Sequence, residues 1–212
     1  MTAPFKSLIK FASVAITAAA LFAIPAQASE TSDLLASANG TVNDLKHDAA
    51  LSTAAKMLRN ARAVYIVPHL VKGGFIFGAE GGDGVLLIRT GKNSWGTPKF
   101  YSMGSASFGF QAGLETAKLV FIINSDAALR GIQKGNVKLG AGAGLTVVNL
   151  SSGAEGATTS HGGDIVVWTS GSGLYGGVSF NGSVIKARDE WNAKPSNGPE
   201  AQALRKNLAT VQ

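Results

Sequence analysis

The chain has 212 residues, with 19 Lys and Arg against 13 Asp and Glu, and no cysteine. A chain of this length buries a large core without covalent staples. Having no cysteine excludes disulfides, thiol catalysis, thiolate metal sites and a lipid-modified cysteine.

Residues 1–28 read as a removable secretory signal. Lys6 and Lys10 make a basic start, Phe11 to Ile24 form an apolar run, and Pro25 breaks it. Ala26-Gln27-Ala28 then puts small residues where a signal peptidase reads them. The run is too short and Ala-rich for a membrane anchor, which needs about 20 strongly apolar residues. The expectation is an exported protein, periplasmic or secreted, that begins near Ser29 and has no lipid anchor. Without the leader's two lysines the formal net charge of +6 falls to +4.

Leu34, Leu35, Ala38, Val42, Leu45, Ala49, Met57, Leu58 and Ala61 recur mostly at three- or four-residue steps, which predicts helix over 31–62. Asn39-Gly40 interrupts this stripe, and Thr41 with Asp44 resembles a capped restart, so a short helix and then a longer one are expected. From Val64 onward short apolar runs between glycines and turn residues read as strands. They are Val64–Val67, Gly74–Gly78, Val85–Ile88, Lys99–Ser102, Ala106–Ala112, Lys118–Ile123, Gly144–Leu150, Ile165–Thr169, Leu174–Phe180 and Val184–Ala187. Ser125–Ile132 reads as a short helix capped by Ser125 or Asp126. Residues 192–199 read as a linker, and Pro199–Val211 as a weak helix.

Of 27 glycines, 25 lie between Gly73 and Gly182, inside the strand region. Glycine within strands marks bulges, sharp bends or close backbone approach. The predicted fold is therefore α+β: a strongly bent, glycine-rich, mainly antiparallel sheet, partly closed as a barrel or doubled as a sandwich, with an N-terminal helix packed on it. The domain reading is a signal over 1–28, one domain over 29–192 (helices 31–62, sheet 64–188), and a C-terminal linker with a weak helix over 193–212.

The search for chemistry yields little. Gly171-Ser172-Gly173-Leu174-Tyr175-Gly176 matches a dinucleotide string, but strand follows where that site needs a helix. His47, His69 and His161 are scattered, and only Asp44 and Asp48, straddling His47, stand near one; no metal and no cofactor are expected. Ser105-Ala106-Ser107-Phe108-Gly109 lacks the first glycine of a nucleophile elbow. A Ser-His-Asp set assembled only in space is the remaining enzymatic reading.

Charge is more informative. Between Arg89 and Lys138 seven basic residues face Glu115 and Asp126, whereas Leu139 to Val184 has no basic residue. By charge alone a one-sided basic surface suits anionic lipid headgroups or nucleic acid, or is simply a solvated surface with a mild excess; of these, lipid is the expected partner and nucleic acid is not. The stretch Arg89 to Phe100 combines three cations with Trp95, and Trp favours the boundary between water and acyl chains. The competing reading of Trp95 is a lid over the sheet core.

These segments resemble the SYLF-domain family of lipid-binding modules, in what looks like an exported bacterial branch. The resemblance rests on Ala61-Arg62-Ala63-Val64-Tyr65-Ile66-Val67-Pro68 with Lys72-Gly73-Gly74-Phe75, and on Gly82-Asp83-Gly84-Val85-Leu86-Leu87 with Arg89, Trp95 and Pro98. It continues through Ser107–Gly113, Gly173–Ser183 and Asn192. Gly96 and Ala193-Lys194-Pro195 depart from the family pattern. The resemblance implies phospholipid binding, actin contacts in some relatives, and no catalytic residues. The resulting expectation is a non-enzymatic lipid-binding module of the cell envelope. Lys72, Arg89, Lys92 and Lys99 would contact anionic phospholipid headgroups on a membrane surface, with Trp95 at the interface. The alternatives are a structural or interaction protein with an envelope protein partner, and a hydrolase.

Overall fold

The computed structural model describes residues 23–74, 77–108, 113–139, 147–151, 163–170 and 182–211. The leader before Ala23, His161, the Gly171–Gly176 string and the strand candidate Leu174–Phe180 lie outside these residues.

Helix α1 spans Ala23–Lys46 and α2 spans Leu51–Leu58. The predicted break at Asn39-Gly40 does not occur; the chain turns after Lys46 instead. Thr41 is buried, and its hydroxyl donates to the Ser37 carbonyl one turn back (3.1 Å), so it stays inside the helix and caps nothing. Leu35, Ala38, Val42 and Leu45 form the buried stripe that lies on the sheet.

Strands β1 (Ala63–Gly74), β2 (Phe77–Gly91), β3 (Ser94–Trp95), β4 (Lys99–Phe108) and β5 (Gly113–Ile123) follow. Then come α3 (Asp126–Gln133), β6 (Asn136–Lys138), β7 (Val147–Ser151), β8 (Ile165–Ser170), β9 (Val184–Ala187), α4 (Asp189–Asn192) and α5 (Pro199–Ala209). The three short runs predicted over 64–88 are two long strands. The described strands form one sheet in the order β6-β9-β4-β2-β1-β5-β8-β7, with β3 beside β2. Every pairing is antiparallel except β7 with β8. The sheet is curled, and among the described strands β6 and β7 end its order. α3 starts where the sequence suggested: Ser125 Oγ accepts from the Ala128 amide at 3.1 Å.

Alternation splits each strand between two cores. On one face Val64, Ile66, Val85, Leu87, Phe100, Val120, Ile122, Val166 and Trp168 pack under α1, α2 and α5. On the other, Tyr65, Val67, Leu86, Tyr101, Met103, Leu119, Phe121 and Ile185 pack with Ala128 and Ile132 of α3. Tyr65 rings touch Tyr101 edge-on and Phe121 at a tilt, centroids 6.3 and 5.6 Å apart.

Two glycines of the Gly82-Asp83-Gly84 triplet answer a bulge in β1. The register slips between Ile66 and Val71, pushing the His69 carbonyl toward β2. A Cβ on Gly82 would lie 2.4 Å from that oxygen, and one on Gly84 would lie 2.6 Å from the Ile66 oxygen and the Tyr65 ring. These positions need glycine because backbone meets backbone there.

The C-terminal helix is part of the core. Pro199 starts it at a position suited to its fixed φ, and Ala201, Leu204 and Leu208 are buried against α1 and the sheet. Asn207 Nδ2 donates to Asn39 Oδ1 and Asn43 Oδ1, both at 2.8 Å, and Lys46 Nζ donates to Asn207 Oδ1 and to Thr210 Oγ1. Asn192 bridges the junction between sheet and linker. Its side chain pairs with both the amide (2.8 Å) and carbonyl (2.7 Å) of Phe100, extending the sheet's hydrogen bonding past the end of β9.

Candidate functional site

The five residues expected at a headgroup surface have different fates. Trp95 is 1 % exposed and belongs to the core under the helices, so the expectation that it sits at a membrane interface is corrected. Its strand β3 pairs with Arg89 on β2 and turns the indole inward. Arg89 is also structural. Its Nε donates to the Ala61 carbonyl (2.7 Å), Nη2 to the Leu58 carbonyl, and Nη1 to the carbonyls of Gly91 and Lys92 (3.3 and 2.6 Å). The guanidinium stacks over Trp95, 4.4 Å from the ring centroid, and burial lowers its pKa from the ordinary arginine value. A cation with these partners closes the C-terminal end of α2 and holds the β2–β3 turn.

Lys72 pairs in register with Glu80 on β2 and Glu115 on β5, so two acidic positions flank it directly. Lys99 is exposed at the start of β4 but lines neither cleft described next. Lys92 stands exposed in a concave basic surface.

That surface is built around the β2–β3 turn. One cleft is lined by Arg59, Asn60, Lys92 and Asn93, between the end of α2 and the turn. A second lies on the other side of Asn93, lined by Ser94, Trp95, Gln202, Arg205, Lys206 and Ala209 as well. Arg205 is oriented by donating Nε to the Trp95 carbonyl at 2.7 Å. Four cations from three separate elements therefore surround Asn93, with amide side chains between them and no carboxylate among the described residues that line either cleft. The arrangement is suited to anionic groups, which accept from guanidinium, ammonium and amide N–H donors. Sequence reading placed Arg59 on the polar side of a helix and did not connect it with Arg205 and Lys206, which lie some 145 positions later. No local signal brings those residues together.

Several other charged side chains are engaged within the fold. Lys118 Nζ binds Asp44 Oδ2 at 2.6 Å, tying β5 to α1. Arg188 binds Asp83 (2.6 Å) and Glu190 (2.7 Å) while stacking on Trp191. A third cleft, at the β1 bulge, brings His69 near Ser170, with Pro68, Thr116, Ala117 and Lys118 and no carboxylate among its described lining residues. Among the described residues no three His, Asp or Glu side chains gather as metal ligands, and no helix is long and apolar enough to cross a membrane.

Residues 104–207 match the Ysc84 family model, described as "Las17-binding protein actin regulator". The chain carries a domain of the Ysc84/SYLF family. The match runs through β4 to α5, which places the C-terminal helix within the shared domain. Protein YSC84 of Saccharomyces cerevisiae is 32% identical over 142 residues, covering 65% of this chain and 30% of the yeast protein. LAS seventeen-binding protein 3 of the same species is 30% identical over 142 residues, covering 65% of this chain and 31% of its own length. The human SH3 domain-containing YSC84-like protein 1 is 31% identical over 142 residues, covering 66% of this chain and 41% of its own. The matched stretch thus spans less than half of each of these relatives, one of which is named as a binding protein. No solved structure matches the chain significantly.

Proposed function

We propose that this SYLF domain is a non-enzymatic lipid-binding module of the cell envelope that contacts anionic phospholipid headgroups through the basic clefts around Asn93. The observation that carries the reading is the convergence of Arg59, Lys92, Arg205 and Lys206, with no carboxylate among the described lining residues. Each cation near an anionic leaflet contributes about 1 kcal/mol, so four supply about 4 kcal/mol at low salt. Apolar side chains of both cores are already buried among the described residues, which favours headgroup contact over an acyl-chain pocket.

The test is co-sedimentation with phosphatidylglycerol-containing vesicles. Binding is expected at low ionic strength, weakening steeply as salt shortens the screening length. Exchanging Lys92 and Lys206 for Glu reverses two charges and should lower the affinity by roughly a hundredfold or more. Wild-type protein that ignores anionic vesicles at low salt would end this reading. A protein-interaction module is the second reading, favoured by the relatives named as Las17-binding. It predicts a protein co-purifying in the absence of lipid.

A further inference from the structure

The chain contains three Asn-Gly pairs: Asn39-Gly40, Asn181-Gly182 and Asn197-Gly198. Glycine after asparagine leaves the main-chain amide unshielded, because no Cβ covers it. That nitrogen can attack the asparagine carboxamide and close a five-membered imide. Two of the three glycine amides are already engaged. Gly40 lies inside α1, and Asn39 Oδ1 is held by Asn207 Nδ2 at 2.8 Å. The Gly182 amide donates to the Leu139 carbonyl at 2.9 Å. An amide bonded in this way reacts only after local opening of the structure.

Asn197-Gly198 is placed differently. Both residues are exposed, in the irregular segment between α4 and α5. Gly198 stands just before the first turn of α5, and its amide has no acceptor among the described residues. The Asn197 side chain is nonetheless positioned. Its Oδ1 accepts from Thr97 Oγ1 at 3.3 Å, while its main-chain oxygen accepts from Gln202 Nε2 at 3.1 Å. A hydroxyl on the carboxamide oxygen draws electron density from Cγ, the atom under attack, and stabilises the oxyanion that forms there.

We propose that Asn197 is a site of spontaneous deamidation that lowers the positive charge beside the α5 cleft. The Gly198 amide proton passes to solvent base, and the nitrogen bonds to Asn197 Cγ. The Cγ–Nδ2 bond then breaks, and Nδ2 takes a proton from solvent and leaves as ammonia. Water opens the imide at either carbonyl, giving aspartate by one route and isoaspartate by the other. Either product carries a carboxylate where an amide stood. The position matters because Gln202, which donates to Asn197, lines the cleft together with Arg205 and Lys206. On the headgroup reading, on which this consequence rests, the new charge opposes those two cations and weakens vesicle binding as the protein ages. Isoaspartate also lengthens the main chain by one carbon directly before α5.

The experiment is peptide mapping by mass spectrometry of the full chain after incubation in warm, mildly alkaline buffer. Deamidation at Asn197 should outrun that at Asn39 by roughly tenfold or more, with aspartate and isoaspartate both present. Gly198→Ala should slow it by a similar factor, because a Cβ shields the attacking nitrogen. The variant should fold as the wild type does: φ there is already −64°, and the added Cβ would meet only Glu200 Oε2, at 3.4 Å. Asn197→Asp supplies the charge without ageing and should lower affinity for phosphatidylglycerol vesicles at low salt by roughly threefold or more. Freshly prepared Gly198→Ala should bind them as the wild type does. The site is overturned if Asn197 stays intact, reacts no faster than Asn39, or reacts equally fast in Gly198→Ala. Its consequence is overturned if Asn197→Asp binds vesicles as tightly as the wild type. Vesicles ignored by every form would remove the headgroup reading and that consequence with it, while the mapped modification would stand.

Discussion

The guanidinium of Arg89 donates to the carbonyls of Leu58, Ala61, Gly91 and Lys92 and stacks on a buried indole. Removing such a group leaves helix-end carbonyls without donors in a partly buried site. Arg89→Ala should therefore lower the unfolding free energy by about 2–3 kcal/mol in urea titration. Lys92→Glu should do the reverse: unchanged stability, weaker vesicle binding. Tyr65 makes a second residue-scale case. Its hydroxyl donates to the Tyr101 carbonyl at 3.2 Å, and burial first, then the charge of Asp83, raises its pKa well above the ordinary tyrosine value. The unfolded chain ionises this phenol near pH 10 while the folded chain keeps it neutral. Stability is therefore intact below about pH 10 and falls as pH rises from there toward the folded-state pKa, by about 1.4 kcal/mol per unit. Tyr65→Phe should cost about 1 kcal/mol at pH 8, and that deficit should shrink or reverse by pH 11. Tyr101, raised by burial and then by Asp189, leaves some alkaline slope in the variant.

Among elements, α5 has the most consequence for its length. Leu204 and Leu208 are fully buried, and its polar side meets Lys46, Asn39 and Asn43 of α1. Leu204→Ala should destabilise by about 2–5 kcal/mol in thermal or urea unfolding, as large-to-small changes in a closed core do. An indifferent outcome would show that α5 is not part of the cooperative unit. The strands and the Ser125-capped helix were legible because alternation and capping are local. The length of β1 and β2 was not, since a bulge carried the chain through Pro68-His69 where sequence reading saw two separate runs. The weight of α5 was hidden too: its pattern is mixed, and its importance comes from asparagines on α1 that sequence reading took for a helix break. Trp95 could be read both ways from its neighbours, and only its pairing with β2 decides that it faces the core.

For the molecule as a whole, the bent α+β architecture followed from glycine placement and helix periodicity, while the basic clefts depended on three elements meeting around one turn. The exported setting remains a proposal that can be measured directly. Ser29 and Glu30 are exposed, and from Ser29 onward the first buried residue of α1 is Leu35, so cleavage before Ser29 removes no described core residue. Intact-mass analysis of protein from the extracytoplasmic fraction should show an N-terminus at Ser29; a mass retaining Met1 would remove the export reading. The packing of α1 against α5 also governs when this protein finishes folding. Lys46 and Asn207, hydrogen-bonded partners, are 161 positions apart. The side of α1 that meets α5 stays uncovered until the last strand has been delivered, and only then does the helical layer close. Folding is consequently late and dominated by distant contacts, hence slow. A chain that stays open this long is suited to passing a membrane as a thread, and during that interval it is a natural client for a chaperone.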